Sequence, residues 1–82
     1  MNKIQRKVVI FEKDGRYGVV GFWSRTDIDF HEVASYDPRK NPSIYQERIP
    51  TETQAVATFF DRVALTRERG WNVVYTGDAN VG

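Results

Sequence analysis

Residues 51–70 read TETQAVATFFDRVALTRERG, and this stretch decides the fold because it holds the start, the apolar stripe and the end of one helix. Thr51 is suited to the N-cap, and Gln54 three residues later completes a capping-box pattern. Gly70 suits the position just after a helix, where the backbone turns left-handed. Five apolar residues recur at the spacing of one helix face: Val56, Phe59, Phe60, Val63 and Ala64. The sequence therefore predicts an amphipathic helix from about Thr51 to Arg69.

Four other segments are rich in β-branched and aromatic residues and predict strands: residues 7–13, 16–23, 30–36 and 71–76. The pair Asp14-Gly15 between the first two is typical of a hairpin, because a type I′ turn needs positive φ at both central positions. All three prolines lie in residues 37–50, which predicts a long loop with a short extended piece at residues 44–49.

The predicted element order is β-β-β-α-β. This order indicates an α+β fold in which one amphipathic helix packs on one face of a mostly antiparallel sheet. The last strand follows the helix closely, so parallel pairing with an earlier strand is a candidate arrangement, and a right-handed crossover would then be expected. The hairpin at Asp14-Gly15, a strand with the motif YGVV (residues 17–20) and the helical pattern TxxxAxxxF (residues 51–59) together give an order that is similar to the HicB-like antitoxin fold. That resemblance covers the order of elements over most of the chain, and it implies no functional residues.

The composition predicts a single domain over residues 1–82, with a flexible tail at residues 78–82. The chain has no cysteine, which excludes disulfides, thiolate metal sites and cysteine nucleophiles and favours a reducing compartment. Its 12 Lys and Arg against 11 Asp and Glu give a net charge of +1, so no strong field favours nucleic acid or an anionic membrane. No apolar run approaches the ~20 residues of a spanning helix. We therefore expect a cytoplasmic protein without membrane attachment.

Apolar side chains occupy both faces of the predicted sheet, whereas a sheet with one solvated face alternates apolar with polar residues. One helix covers only one of the two faces. The set assigned to the helix side consists of the smaller, aliphatic side chains together with one phenylalanine: Val8, Ile10, Val20, Val74 and Phe22. The set left for the other side is aromatic and is the predicted interaction face: Tyr17, Trp23, Trp71 and Tyr75. Tyr and Trp are enriched at interfaces because each has an apolar body and a polar edge.

Three occupants are compatible with this aromatic face. The loop at residues 37–50 could fold over it with Ile44 and Tyr45, a second copy or another protein could bind it, or single-stranded nucleic-acid bases could stack on it. Arg39, Lys40 and Arg48 are the candidate phosphate contacts for the last case. We expect a non-enzymatic binding module acting by protein–protein interaction or homodimerisation, with nucleic-acid binding as the alternative.

The segment around the single histidine is the candidate for chemistry. Asp27, Asp29 and His31 would share one face of an extended segment, and oxygen and imidazole ligands of this kind can hold a divalent cation. A solvated turn is the preferred interpretation, because exposed carboxylates are the common case. No motif supplies a nucleophile, a base and an orienting group together. The sequence therefore predicts no metal site, no cofactor and no enzymatic activity.

Overall fold

The computed structural model describes residues 4–78, which form one antiparallel sheet and one helix. The elements in chain order are β1 (Ile4–Lys13), β2 (Arg16–Arg25), β3 (Phe30–Tyr36), β4 (Ile44–Arg48), α1 (Glu52–Glu68) and β5 (Asn72–Asp78). The strands lie in the order β4-β3-β2-β1-β5, and every neighbouring pair is antiparallel. The predicted α+β fold, with one helix on one face of the sheet, is confirmed.

The structure changes the predicted order in two ways. The extended piece in the proline-containing segment is a true strand, β4, so the order is β-β-β-β-α-β. The last strand pairs antiparallel with β1 at the edge of the sheet, so the expectation of a parallel crossover is wrong. Asp78 is the last residue of β5 and does not belong to a tail, while residues 79–82 of the predicted tail lie outside the described residues. Within residues 4–78, no helix is both long and apolar enough to cross a membrane.

The hairpin between β1 and β2 forms as predicted. Asp14 and Gly15 have φ values of 53° and 78°, the positive values that a two-residue type I′ turn requires. The two strands then pair without interruption, from Lys13 opposite Arg16 to Ile4 opposite Arg25. This register fixes which side chains share a face along most of both strands, because directly opposed residues of an antiparallel pair point to the same side.

Helix α1 begins and ends where the local chemistry indicated. The Thr51 hydroxyl accepts a hydrogen bond from the Gln54 backbone N–H at 3.2 Å, which satisfies one of the free donors of the first turn. Gly70 follows the C-cap with φ of 92°, in the left-handed region. The helix packs over β2 and β3.

The apolar stripe of α1 is narrower than the spacing predicted. Ala55 and Phe59 are buried, and Val56 and Val63 pack against the core formed with the sheet. The prediction is wrong for Phe60, which is 58% exposed, and also for Ala64. The helix lies over the β2–β3 side of the sheet, so its flank towards β5 is left uncovered.

The hairpin register corrects the predicted helix side of the sheet. Val20 and Phe22 are buried against the helix, as predicted. Val9 lies opposite Val20, and it is therefore Val9 and Phe11 that face the helix, both buried. The assignment of Val8 and Ile10 to the helix side is wrong, because they alternate to the other face.

A β-bulge in β5 changes which residues of this strand share a face, so the predicted faces of β5 are also wrong. Val73 lies opposite Phe11 and Tyr75 lies opposite Ile10, so Val74 is an extra residue with no partner on β1. The bulge inverts the alternation along the strand: Val73 faces the helix side and Tyr75 faces the other side. Val74 is 54% exposed and does not join the core, contrary to the prediction.

Trp71 precedes β5 and belongs to the core on the helix side. Its side chain is 5% exposed and packs against Gly18, where an added Cβ would lie 3.4 Å from the indole ring. Gly18 therefore provides space for the ring, which gives this strand glycine a packing role. The placement of Trp71 on the predicted interaction face is wrong.

The loop at residues 37–43 lies on the helix side and does not cross the opposite face. Its Arg39 guanidinium carbon lies 4.8 Å from the centre of the Trp71 ring, beside the C-terminal half of α1. Ile44, which was a candidate for covering the aromatic face, is instead the first residue of the edge strand β4. The interpretation of this segment as a lid over the aromatic face is therefore wrong.

Candidate binding surfaces

The sheet face opposite α1, here called the open face, has an apolar row that crosses all five strands. Strand pairing places Tyr75 beside Ile10, Ile10 beside Val19, Val19 beside Tyr36 and Tyr36 beside Ile44. This set, the apolar row, is Tyr75, Ile10, Val19, Tyr36 and Ile44. Its two ends are the most open, with Tyr75 48% exposed and Ile44 57% exposed. Four strand spacings make the row roughly 19 Å long, and no element within residues 4–78 covers it.

One end of the open face carries an aromatic pair with arginines on it. The rings of Trp23 and Phe30 meet edge to face, with centroids 5.1 Å apart. The guanidinium of Arg6 lies over Trp23 at 5.2 Å, and that of Arg48 lies over Phe30 at 4.4 Å. The Trp23 Nε1–H is buried and has no hydrogen-bond acceptor in the described part of the chain. This end of the face therefore presents flat rings and two cations.

Three of the four residues that the sequence placed together on one sheet face do share a face. Tyr17, Trp23 and Tyr75 lie on the open face, while Trp71 lies on the other side of the sheet. Sequence reasoning missed Tyr36 and Ile44, which extend the face across β3 and β4. The strand register identifies both residues. Tyr36 of β3 pairs with Val19 of β2, and Ile44 of β4 pairs with Tyr36, so all three point to the same face.

A second candidate surface is a cavity of about 360 Å³ on the helix side, here called the cationic pocket. It lies between the C-terminal half of α1, the ends of β2 and β3, and the loop at residues 37–43. Its exposed apolar lining comes from Leu65 and Tyr45, and the buried residues Phe11, Val20 and Trp71 lie beneath it. Its basic lining comes from Arg39, Lys40, Arg62 and Arg69.

Two of the four basic side chains in the cationic pocket are held by carboxylates. Asp37 accepts hydrogen bonds from Nε and Nη2 of Arg39, each at 3.2 Å. These bonds favour the charged forms, so the pKa of Asp37 is held below its ordinary value and the pKa of Arg39 is raised. Arg62 donates to Glu47 and, at 3.2 Å, to the Ser35 hydroxyl, which ties α1 to β3 and β4.

The predicted phosphate contacts do not form one group. Arg39 and Lys40 line the cationic pocket, whereas Arg48 lies on the open face over Phe30. The loop cations and the aromatic face are thus on opposite sides of the sheet. Of the three predicted phosphate contacts, only Arg48 therefore lies beside the aromatic face.

The only histidine belongs to a polar chain beside the start of α1, and this chain runs from the buried Ser24 and His31 to the exposed Asp29. The Ser24 hydroxyl lies 2.6 Å from His31 Nδ1 and 3.4 Å from a carboxylate oxygen of Glu52, and His31 Nε2 lies 3.0 Å from Asp29. Ser24 and His31 are buried, so the hydroxyl is not open to a substrate in this arrangement. Asp27 instead pairs with its neighbour Arg25. Within residues 4–78, no group of three or more acidic or histidine side chains is placed to hold a metal ion.

Comparison with known proteins gives no match to a protein-family model, a curated protein or a solved structure. The likeness in element order to the HicB-like antitoxin fold therefore carries no functional argument. Function has to be argued from the two surfaces themselves.

Proposed function

We propose that the protein is a binding module that meets a second copy of itself, or another protein, through its open face. The observation that supports this proposal is the apolar row, which runs uninterrupted across all five strands. An exposed apolar patch of this extent is typical of a contact surface in a soluble domain. A small domain also gains stability from such a contact, because its own core is limited.

The composition of the face supports a protein partner. Its centre is aliphatic, with Ile10 and Val19 half-buried, and tyrosines lie on either side at Tyr75 and Tyr36. Charged side chains lie towards its end, where Arg6 and Arg48 cover aromatic rings. An apolar centre with aromatic and arginine residues around it is the common composition of protein interfaces.

A lysine placed at either end of the apolar row is expected to abolish self-association. Ile44→Lys and Tyr75→Lys change exposed positions, so each should leave the fold intact while placing a charge inside the contact. Sedimentation equilibrium at about 100 µM should show a dimer for the unchanged chain and a monomer for both variants. Ala57→Lys adds the same charge at an exposed position of α1 and should remain a dimer. A monomeric unchanged chain at this concentration would contradict self-association.

The aromatic end of the open face favours a second candidate, binding of single-stranded nucleic acid. The guanidinium planes of Arg6 and Arg48 lie over the half-buried rings of Trp23 and Phe30, and such planes stack on bases and pair with phosphates. Phosphate contacts of this kind make affinity fall steeply with salt.

Titration with a single-stranded oligonucleotide tests this candidate through tryptophan fluorescence. Quenching is expected at about 50 mM salt and should weaken at about 200 mM. Arg48→Gln should reduce binding several-fold, because it removes a cation from the open face. Arg39→Gln removes the same charge from the opposite side and should leave binding unchanged. Unaltered fluorescence at low salt would contradict nucleic-acid binding by this face.

A further inference from the structure

The cationic pocket lies on the other side of the sheet from the open face, so what it binds is independent of the proposed function. We propose that it binds a small organic anion, with the charged group among the basic side chains and an apolar, flat body against the exposed side chains of Leu65 and Tyr45. The geometry that points to this is the meeting of four basic side chains with two exposed apolar side chains in one cavity.

The pocket has more positive charge than its carboxylates balance. Arg39 is matched by Asp37, and Arg62 is matched by Glu47. Lys40 and Arg69 form no ion pair within residues 4–78. Two neighbours outside the lining carry opposite charges that offset each other: Asp14, whose field reaches Arg39, and Lys13, which contacts Arg69. An anion is the ligand that this excess charge favours.

One of the donors, Arg39, is held in place before any ligand arrives. Asp37 accepts hydrogen bonds from two nitrogens of Arg39, and the guanidinium packs on the ring of Trp71. The third nitrogen, Nη1, has no acceptor in the described chain and can donate to a ligand. Fixed donors lose little side-chain entropy on binding, which favours affinity.

The end of α1 repels an anion less than an open helix C-terminus would. The carbonyl oxygens of Leu65, Thr66 and Arg67 accept hydrogen bonds from the backbone N–H groups of residues 69–71. The Lys13 ammonium donates to the carbonyl of Arg69 at 2.7 Å. These bonds satisfy the acceptors that otherwise make this end of a helix unfavourable to negative charge.

The volume and the exposed apolar lining of the cavity indicate that the ligand is larger than a bare ion. Its volume of about 360 Å³ lies at the lower end of small-molecule sites, which span about 300–1,000 Å³. Leu65 is 45% exposed and Tyr45 is 54% exposed, and both supply an apolar surface that a phosphate alone would leave unused. A ring attached to the anionic group would cover this surface and gain affinity from it.

Phenyl phosphate is the probe that combines both features, and the two indole N–H signals in a ¹H–¹⁵N spectrum report where it binds. The Trp71 signal should shift and saturate with a Kd in the millimolar range or below, while Trp23 on the open face should stay unshifted. Inorganic phosphate and benzyl alcohol should each bind at least about tenfold more weakly. An unshifted Trp71 at about 10 mM probe, equal shifts at both tryptophans, or equal affinity for either part alone would overturn the proposal.

Two arginines at the end of α1 provide the matched test of the charge. Arg69→Gln removes a cation of the pocket and should weaken phenyl phosphate binding about fivefold to tenfold. Arg67→Gln makes the same change two residues away and should leave the Kd unchanged. Arg67 does not line the cationic pocket but a separate groove between α1 and β5, with Phe60 and Val73. Lys40→Gln, in the loop, should weaken binding like Arg69→Gln and checks the result independently of the helix. Equal weakening by Arg67→Gln and Arg69→Gln would overturn the proposal, because it would reflect the general field of the protein.

Discussion

Replacing Phe59 with alanine is expected to lower the free energy of unfolding by about 3–5 kcal/mol. Phe59 is 3% exposed and is the one aromatic side chain of α1 that enters the core, where its ring lies 5.9 Å from that of Phe22. The substitution removes most of the apolar area that ties the helix to β2 and leaves a cavity behind. Domains of this size have about 5–15 kcal/mol of total stability. We therefore expect a large drop in the urea concentration at the midpoint of unfolding, measured by far-ultraviolet circular dichroism.

The neighbouring phenylalanine is the control for this prediction. Phe60 differs by one position along the helix and is 58% exposed, so Phe60→Ala should cost about 1 kcal/mol or less. The small cost comes from its edge contact with Phe59, at 5.4 Å between ring centres. Equal losses for the two variants would contradict the position of α1 over β2 and β3.

The features that the sequence predicted well are those decided within a few residues. Thr51 and Gln54 cap the helix through two local hydrogen bonds, and Gly70 supplies the left-handed residue that ends it. Asp14 and Gly15 build the hairpin turn from their own backbone preferences. None of these depends on what the rest of the chain does, so each can be inferred without a structure.

The hairpin also contained information about the faces that the sequence reasoning left unused. A two-residue turn at Asp14-Gly15 places Val9 directly opposite Val20. Once Val20 is assigned to the helix side, Val9 must follow, and Val8 falls on the open face. Pairing the strands before assigning their faces would have given the observed core on β1.

The remaining differences depend on contacts between distant parts of the chain. The bulge at Val74 arises where β5 meets β1, and neither glycine nor proline marks it in the sequence. This bulge is the reason that Tyr75 and Trp71 lie on opposite faces of the sheet. Simple alternation along the strand would place both on the same face. The cationic pocket likewise depends on where the loop docks, because Arg39 and Arg69 are far apart in sequence and meet only around Trp71.

Replacing Trp71 with alanine is expected to cost about 3–5 kcal/mol of unfolding free energy, comparable to the loss at Phe59. The indole is 5% exposed, packs on the backbone at Gly18 and is covered by the Arg39 guanidinium. Removing it opens the floor of the cationic pocket and frees Arg39 from the surface that it rests on. Urea denaturation monitored by far-ultraviolet circular dichroism measures this loss, because that signal does not depend on the tryptophan that is removed.

Trp23 makes this prediction specific, because the two tryptophans of the chain occupy opposite sides of one sheet. Trp23 is half-buried on the open face, so Trp23→Ala should cost less than Trp71→Ala, about 2 kcal/mol or less, and should act mainly on binding by that face. Trp71→Phe should recover much of the stability lost in Trp71→Ala, since a ring again fills the space above Gly18. A larger loss from Trp23→Ala than from Trp71→Ala would mean that the bulge at Val74 does not invert the faces of β5, and that Trp71 lies on the open face after all.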